Sequence, residues 1–345
     1  MHKLAPILRL PLLLVAGGLW LAGCTTPRPQ PAAEAGPPAS LVWPAPPDPP
    51  RIAWVKNFTR PADLGIKRSA FGRIANWVTG SEKGNEQLLR PFGLSVDEKD
   101  ELCVTDTAAN TVWLFDLKAK KCSRWDKVGS VRFESPVAMV AHNGTCYVAD
   151  SALGIIAFSL AGKLLFTVTN HLGRPSGLAV DDKTLWVADA QRHCVVKFDL
   201  TGQFLSEFGH RGTGPGEFNF PTHLARDTDG RLYVTDSLNG RVQMFDADAH
   251  FIGQIGQFGD SPGCFSRPKG VTVDSLGHVY VADANFDNVQ VFDRQGQILL
   301  GLGEAGRDSG QFWLPAGVAA NRQNEIFVAD SYNRRVQVFR YIGSQ

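Results

Sequence analysis

One acidic position recurs along this chain and sets its period. Asp106, Asp150, Asp189, Asp236, Asp283 and Asp330 each close a short run of the form V-[AT]-D, and the last four are 47 residues apart. Each run lies inside the same phrase: a Pro, a short apolar stretch, a polar turn, the V-[AT]-D run, a second polar turn, and an apolar stretch ending near V-F-D. The best copies read RPSGLAVDDKTLWVADAQRHCVVKFD from Arg174, RPKGVTVDSLGHVYVADANFDNVQVFD from Arg267 and LPAGVAANRQNEIFVADSYNRRVQVF from Leu314. The other three begin at Arg90, Ser135 and Phe220. A period of roughly 40 to 50 residues that carries several β runs marks a propeller array, not a solenoid of helices. Six copies imply six blades.

Within each copy the apolar runs, such as 185–188 and 195–198, are four to six residues long and rich in Val, Leu, Phe and Trp. They are bounded by Asp, Gly, Asn or Ser, as strands are. Turns such as Asp227-Thr228-Asp229-Gly230 and Asp274-Ser275-Leu276-Gly277 supply hairpin chemistry, because Gly tolerates positive φ and Asp hydrogen-bonds its own backbone. Each blade therefore reads as an antiparallel meander, with a fourth, outer strand at 203–208, 251–255 and 297–302. The phrase resembles the NHL repeat, and the resemblance covers residues 90–342. It implies an all-β, six-bladed β-propeller of four-stranded antiparallel blades and says little about a ligand.

The sixth copy has no fourth strand after it, and an open ring would leave an unpaired edge. Residues 51–58, RIAWVKNF, alternate as a strand and are expected to return and complete blade six. Residues 73–79 compete for the role, but 69–78 reads better as a short amphipathic helix. The expected order is a leader over 1–23, a linker over 24–50, a strap and short helix over 51–89, and the six repeats over 90–345.

The leader has a basic start at His2, Lys3 and Arg9, an apolar core over 10–19, and the ending Leu21-Ala22-Gly23-Cys24. It is too short to span a bilayer and has signal-peptide order. Its ending resembles a bacterial lipobox, which implies that Cys24 is acylated and that the protein is an outer-membrane lipoprotein on the periplasmic side or the cell surface. Ten prolines between Thr25 and Pro50 make the following stretch an extended spacer. The only membrane contact expected is the lipid anchor.

Charge is nearly balanced, with 35 Lys and Arg against 34 Asp and Glu. That excludes a general nucleic-acid binder, which needs a concentrated positive field. The cysteines after Cys24 (Cys103, Cys122, Cys146, Cys194 and Cys264) show neither C-x-x-C nor Cys/His metal spacing. Cys103, Cys146 and Cys194 fall inside strands and read as small buried apolar residues. GDSPG from Gly259 matches a nucleophile elbow and GLGEAG from Gly301 a dinucleotide loop, yet both need a strand running into a helix. Both are the same inter-blade connection at 47-residue spacing, so their glycines serve the turn and Ser261 is not a nucleophile.

Function is expected where copies depart from the repeat. At the third position of the P-x-G phrase stand Gly93, Ala138, Gly177, His223, Gly270 and Gly317. One position earlier stand Phe92, Val137, Ser176, Thr222, Lys269 and Ala316, and Lys269 carries the only charge. Arg90, Arg174 and Arg267 immediately precede the Pro. These residues open the innermost strands, so they are expected to form a cationic rim at one mouth of the channel. Arg241 and Arg335, in the turns after the V-[AT]-D runs, are expected to join the same binding face, with His223 nearby.

The histidines show no triad for zinc, and no catalytic residue, metal or cofactor is expected. The expected function is a non-catalytic protein- or peptide-binding or assembly module in the bacterial cell envelope, with its oligomeric state open. The alternative is a channel-sited, metal-dependent lyase or hydrolase of the six-bladed type. Cys24→Ala should leave the protein folded but unacylated and absent from the outer-membrane fraction. Continued lipid-mediated partitioning of the variant with that membrane would refute the lipobox reading.

Overall fold

The computed structural model describes residues 41–67 and 87–343. Six antiparallel sheets surround one channel, and their innermost strands adjoin in chain order from the first to the sixth and back to the first. Blade one comprises Pro91–Val96, Leu102–Asp106, Thr111–Asp116 and Lys121–Trp125, from the channel outward. The innermost strands of blades two to six are Pro136–His142, Pro175–Val180, Pro221–Arg226, Pro268–Val273 and Pro315–Ala320. A two-stranded ribbon, Lys127–Val128 with Val131–Arg132, lies between blades one and two in sequence.

The repeat phrase maps directly onto this meander. Its Pro and Asp face each other across the two inner strands in every blade, from Pro91 opposite Asp106 to Pro315 opposite Asp330. Proline has no N–H to give a ladder, so the first residue of a strand suits it. The V-[AT]-D strand is buried throughout in all six blades apart from its first residue in blades two, three and six. Neighbouring blades cover both its faces, so its sequence is a continuous apolar run instead of an alternating one. Outer strands face solvent, and Phe204–Phe208 is largely exposed.

Six apolar clusters form the core, one at each junction between adjacent blades. At the channel the inner strands approach so closely that a side chain on the glycines of the third phrase position would clash. A Cβ on Gly93 would lie 2.3 Å from the Val137 carbonyl oxygen of blade two, and one on Gly317 2.4 Å from the Phe92 carbonyl oxygen of blade one. The second of these contacts also shows that the ring closes.

Blade six is completed by the N-terminal strand Ile52–Phe58, which pairs antiparallel with Arg335–Tyr341 from Ile52 opposite Tyr341 to Phe58 opposite Val336. Ile52 and Phe58 are fully buried, each joining a different junction cluster. The expected linker ends too late. Val42–Trp43 adds a fifth strand to this blade, and the Trp43 ring meets Phe339 edge-on at 5.6 Å. A large aromatic ring amid the prolines anchors the chain before Pro50. The short helix expected over 69–78 and the competing segment 73–79 lie outside the described residues. Cys103, Cys146 and Cys194 are buried, as their places in strands imply.

Closure by this strand is directly measurable. Ile52→Ala should cost about 2–5 kcal/mol in denaturant unfolding, because it empties a buried site. Val55→Thr, on the exposed side of the same strand, should change stability by less than about 0.5 kcal/mol. Equal effects would mean that the strand does not seal the ring.

Candidate functional site

The repeated aspartates position the rim. All six are fully buried. Asp106 accepts the backbone N–H groups of Ala108 and Ala109 in the turn after it, at 3.1 and 3.0 Å, as its place before a polar turn implies. It also accepts the N–H groups of Leu89 and Arg90, 17 and 16 residues earlier, at 2.6 and 3.0 Å. The return bond runs from Thr107 N–H to the Arg90 carbonyl, at 3.1 Å. The same two-way latch joins Asp189 to Arg174 and Asp283 to Arg267. The carboxylate therefore fixes the backbone of the residue before the Pro, and in blades one, three and five that residue is an arginine.

Three arginines from alternate blades are thus held around one opening. Arg90, Arg174, Arg267 and Lys269 line a single cavity of about 370 Å³, together with Phe92, Val137, Pro315, Ala316 and Tyr332. Among the described residues, none of the four cationic side chains is paired with a carboxylate. Arg90 instead lies over the Tyr332 ring at 5.2 Å, and Arg174 over Phe220 at 5.7 Å. Burial pushes the Lys269 ammonium down to about 8, and repulsion from Arg267 and Arg174 adds to the effect. Positive charge that no carboxylate pairs among the described residues is the defining property of this mouth.

His223 does not belong to the rim; it closes the channel beneath it. Its ring meets Phe92, from the blade opposite, at 5.7 Å between centroids. Both its ring nitrogens and the neighbouring Thr222 hydroxyl are buried without a hydrogen-bond partner. Burial first, and the Lys269 charge second, depress its pKa to about 3, so the imidazole is neutral at physiological pH. Below this contact lie a void of about 30 Å³ and a second cavity of about 180 Å³ lined by inner-strand residues from Leu94 to Ala320. The far mouth carries Asp97, Glu98, Asp100, Asp227 and Asp274 with Arg226 and Arg322. The two ends of the channel therefore differ in charge.

Arg241 and Arg335 require a correction, because both are buried braces that do not reach the cavity. Arg241 pairs with Asp236 at 2.9 Å and donates to the carbonyls of Gly214 and Glu217. Arg335 pairs with Asp330 at 2.7 Å and donates to the carbonyls of Asp308 and Gln311. Each staples the glycine-rich connection that enters its blade. Gln243, Gln290 and Gln337 hold the same connection by accepting the N–H groups of Gly216, Gly263 and Gly310 at 2.8, 2.8 and 2.9 Å. Ser261 sits on one of these structural loops, where its hydroxyl meets the Asp260 carboxylate. The Asp227 carboxylate likewise accepts Asp229 and Arg231 N–H groups within its hairpin.

The other described histidines lie apart. His142 meets Glu98 and Asp182, His278 meets Asp274, His250 meets Asp246 and His210 meets Glu217. His171 stacks on Phe204, and His193 accepts the Phe220 N–H. Among the described residues no group of three or more His, Cys, Asp or Glu side chains is placed to hold a metal.

Sequence reasoning missed an aromatic ladder beside the mouth. Arg307 lies over Trp313 at 4.9 Å, Trp313 meets Tyr332 at 5.5 Å, and Tyr332 carries Arg90. Trp313 and Tyr332 are 40% and 44% exposed, unusual for rings of this size. The Phe92–His223 contact was also missed. Its signal was present, since these are the only aromatic residues in their two columns, but nothing local says that they face each other across the axis.

Residues 172–198 and 312–339 match the NHL repeat, and residues 222–296 match a 6-bladed beta-propeller domain. With the geometry above, the chain is a six-bladed β-propeller carrying NHL repeats. No curated protein is significantly similar to it in sequence. Among solved structures, a gluconolactonase from Xanthomonas campestris matches with TM-score 0.57 and 14% identity over 84% of this chain and 98% of that one. Virginiamycin B lyase from Staphylococcus aureus matches with TM-score 0.53 and 13% identity over 74% and 96%. An auxiliary nutrient binding protein from Bacteroides thetaiotaomicron matches with TM-score 0.57 and 13% identity over 74% and 69%. At these identities the likeness is one of fold alone.

His223 gives the protein a defined acid response. Its folded pKa, about 3, lies below the ordinary 6.5. Between those values the unfolded chain binds a proton that the folded one refuses, so this contribution to stability is complete above pH 6.5 and is lost as pH falls toward 3. His223→Leu should flatten the decline in melting temperature between pH 6.5 and 4. Parallel declines in variant and wild type would show that the imidazole is not buried as described.

Proposed function

We propose that this chain is a lipid-anchored, non-catalytic binding module of the bacterial cell envelope, whose cationic mouth takes an acidic segment of a protein or peptide partner. Four cations share one cavity without a paired carboxylate among the described residues, and this observation carries the reading. Arg90, Trp313 and Tyr332 belong to the residue types that dominate binding energy at protein interfaces, and here they lie in contact. Their side chains are held by a closed ring, so a partner meets a preorganised surface and little side-chain entropy is lost on binding. The lipid on Cys24 and the proline-rich stretch after it would hold the ring near, but clear of, the membrane. No helix among the described residues is long and apolar enough to cross a membrane.

A photo-crosslinker at Tyr332 in intact cells, with mass spectrometry of the product, would identify the partner. Changing Arg90, Arg174 and Arg267 together to Gln should weaken capture about tenfold or more and flatten its salt dependence, with the melting temperature retained. Capture of unchanged strength and salt slope would move recognition to another surface.

A further inference from the structure

We infer that the cavity at the cationic mouth is a seat for a small organic polycarboxylate, an acid with two or three carboxylates on a short carbon body. This rests on the reading of the mouth as an anion-binding surface and specifies the group that it takes.

Charge number comes first. Arg90, Arg174 and Arg267 stand on blades one, three and five, with Lys269 in the same cavity. A single monovalent group cannot reach three alternate sides of an opening at once, whereas several carboxylates on one body can. Each guanidinium presents a planar fork that matches a carboxylate in bidentate fashion. Lys269 adds a compact charge that suits a further oxygen.

The wall then separates an organic acid from a bare inorganic anion. Phe92, Val137, Pro315 and Ala316 are apolar parts of the same lining. A carbon body can bury surface against them, and inorganic phosphate cannot. The volume, about 370 Å³, falls among those of small-molecule sites. Phe92 and His223 meet across the axis beneath it, so the seat is a blind pocket filled and emptied from one side.

Lys269 supplies a signature independent of affinity. Burial and its cationic neighbours hold it down to about 8. A seated polyanion reverses the repulsion and favours the charged amine, so binding at pH 8.5 takes up a proton.

Titration calorimetry on the full-length protein at low salt, with tricarballylate, succinate, acetate and inorganic phosphate as probes, tests the proposal. Tricarballylate should bind about tenfold more tightly than succinate and at least tenfold more tightly than phosphate, with negligible heat from acetate. Arg174→Gln and Arg267→Gln should each weaken tricarballylate about tenfold at unchanged melting temperature, and Arg132→Gln, at an exposed ion pair with Asp126, should not. Proton uptake at pH 8.5, read from buffers of different ionisation enthalpy, should disappear in Lys269→Met. Absence of saturable tricarballylate binding to folded wild type overturns the proposal, and so does phosphate binding of equal strength. If tricarballylate binds without reducing photo-crosslinking of the partner, the seat stands and the acidic-partner reading falls. If the triple arginine variant loses capture while tricarballylate never binds, the reverse holds.

Discussion

Everything at the channel mouth depends on a buried carboxylate that accepts backbone N–H groups from two places at once. A charge removed from water is costly unless it is fully hydrogen-bonded. Each repeat Asp meets that condition by drawing in donors from its own turn, from the segment that opens the innermost strand, or from nearby side chains. Asp150 accepts Glu134, Ser135, Ala152 and Leu153 N–H groups. The interaction ties together elements about sixteen residues apart, and it recurs six times because each blade must begin its inner strand at the same height above the channel.

The same side-chain type has two fates, decided by where it stands relative to that carboxylate. In blades one, three and five the arginine precedes the Pro; its backbone bonds to the Asp and its guanidinium is left for the cavity. In blades four and six the arginine follows the Asp by five residues, and its guanidinium bonds to the carboxylate itself. There the residues before the Pro, Phe220 and Leu314, adopt left-handed φ of 66° and 50°. The latch shifts one residue back, to the N–H groups of Asn219 and Trp313. Losing Arg241 or Arg335 would strand a buried charge, a loss of about 3–5 kcal/mol. Losing a rim arginine strands nothing. Fold and cationic mouth thus draw on separate arginines.

This division explains which parts of the molecule were legible in the sequence. The period, the strand pattern, the returning strand 51–58 and the small inner position follow from local rules of spacing and packing, and they read directly. The rim was legible because Arg90, Arg174 and Arg267 share one place in a repeat, so a single topological argument places all three. Arg241 and Arg335 share a place as well, which misled the reading: a shared place in a turn serves ligand and brace equally, and only the partner, Asp236 or Asp330, tells them apart. Trp43 was hidden among prolines. The Phe92–His223 contact joins blades one and four, and no pattern in sequence encodes which blades stand opposite.

That last contact determines what the channel can do. An open channel with a basic end and an acidic end would carry a polar field along a continuous passage. The neutral His223 ring against Phe92 closes the passage within the protein and leaves a one-sided pocket above it. Protonating His223 would bring a second buried cation close to Lys269, and burial together with that charge keeps the ring neutral. The mouth above holds four cations that no carboxylate pairs among the described residues, on latched strands that cannot relax apart without opening the ring. Positive charge held in place before any ligand arrives needs no reorganisation when an anion enters, so an anion reaching this end of the propeller would meet a preorganised surface.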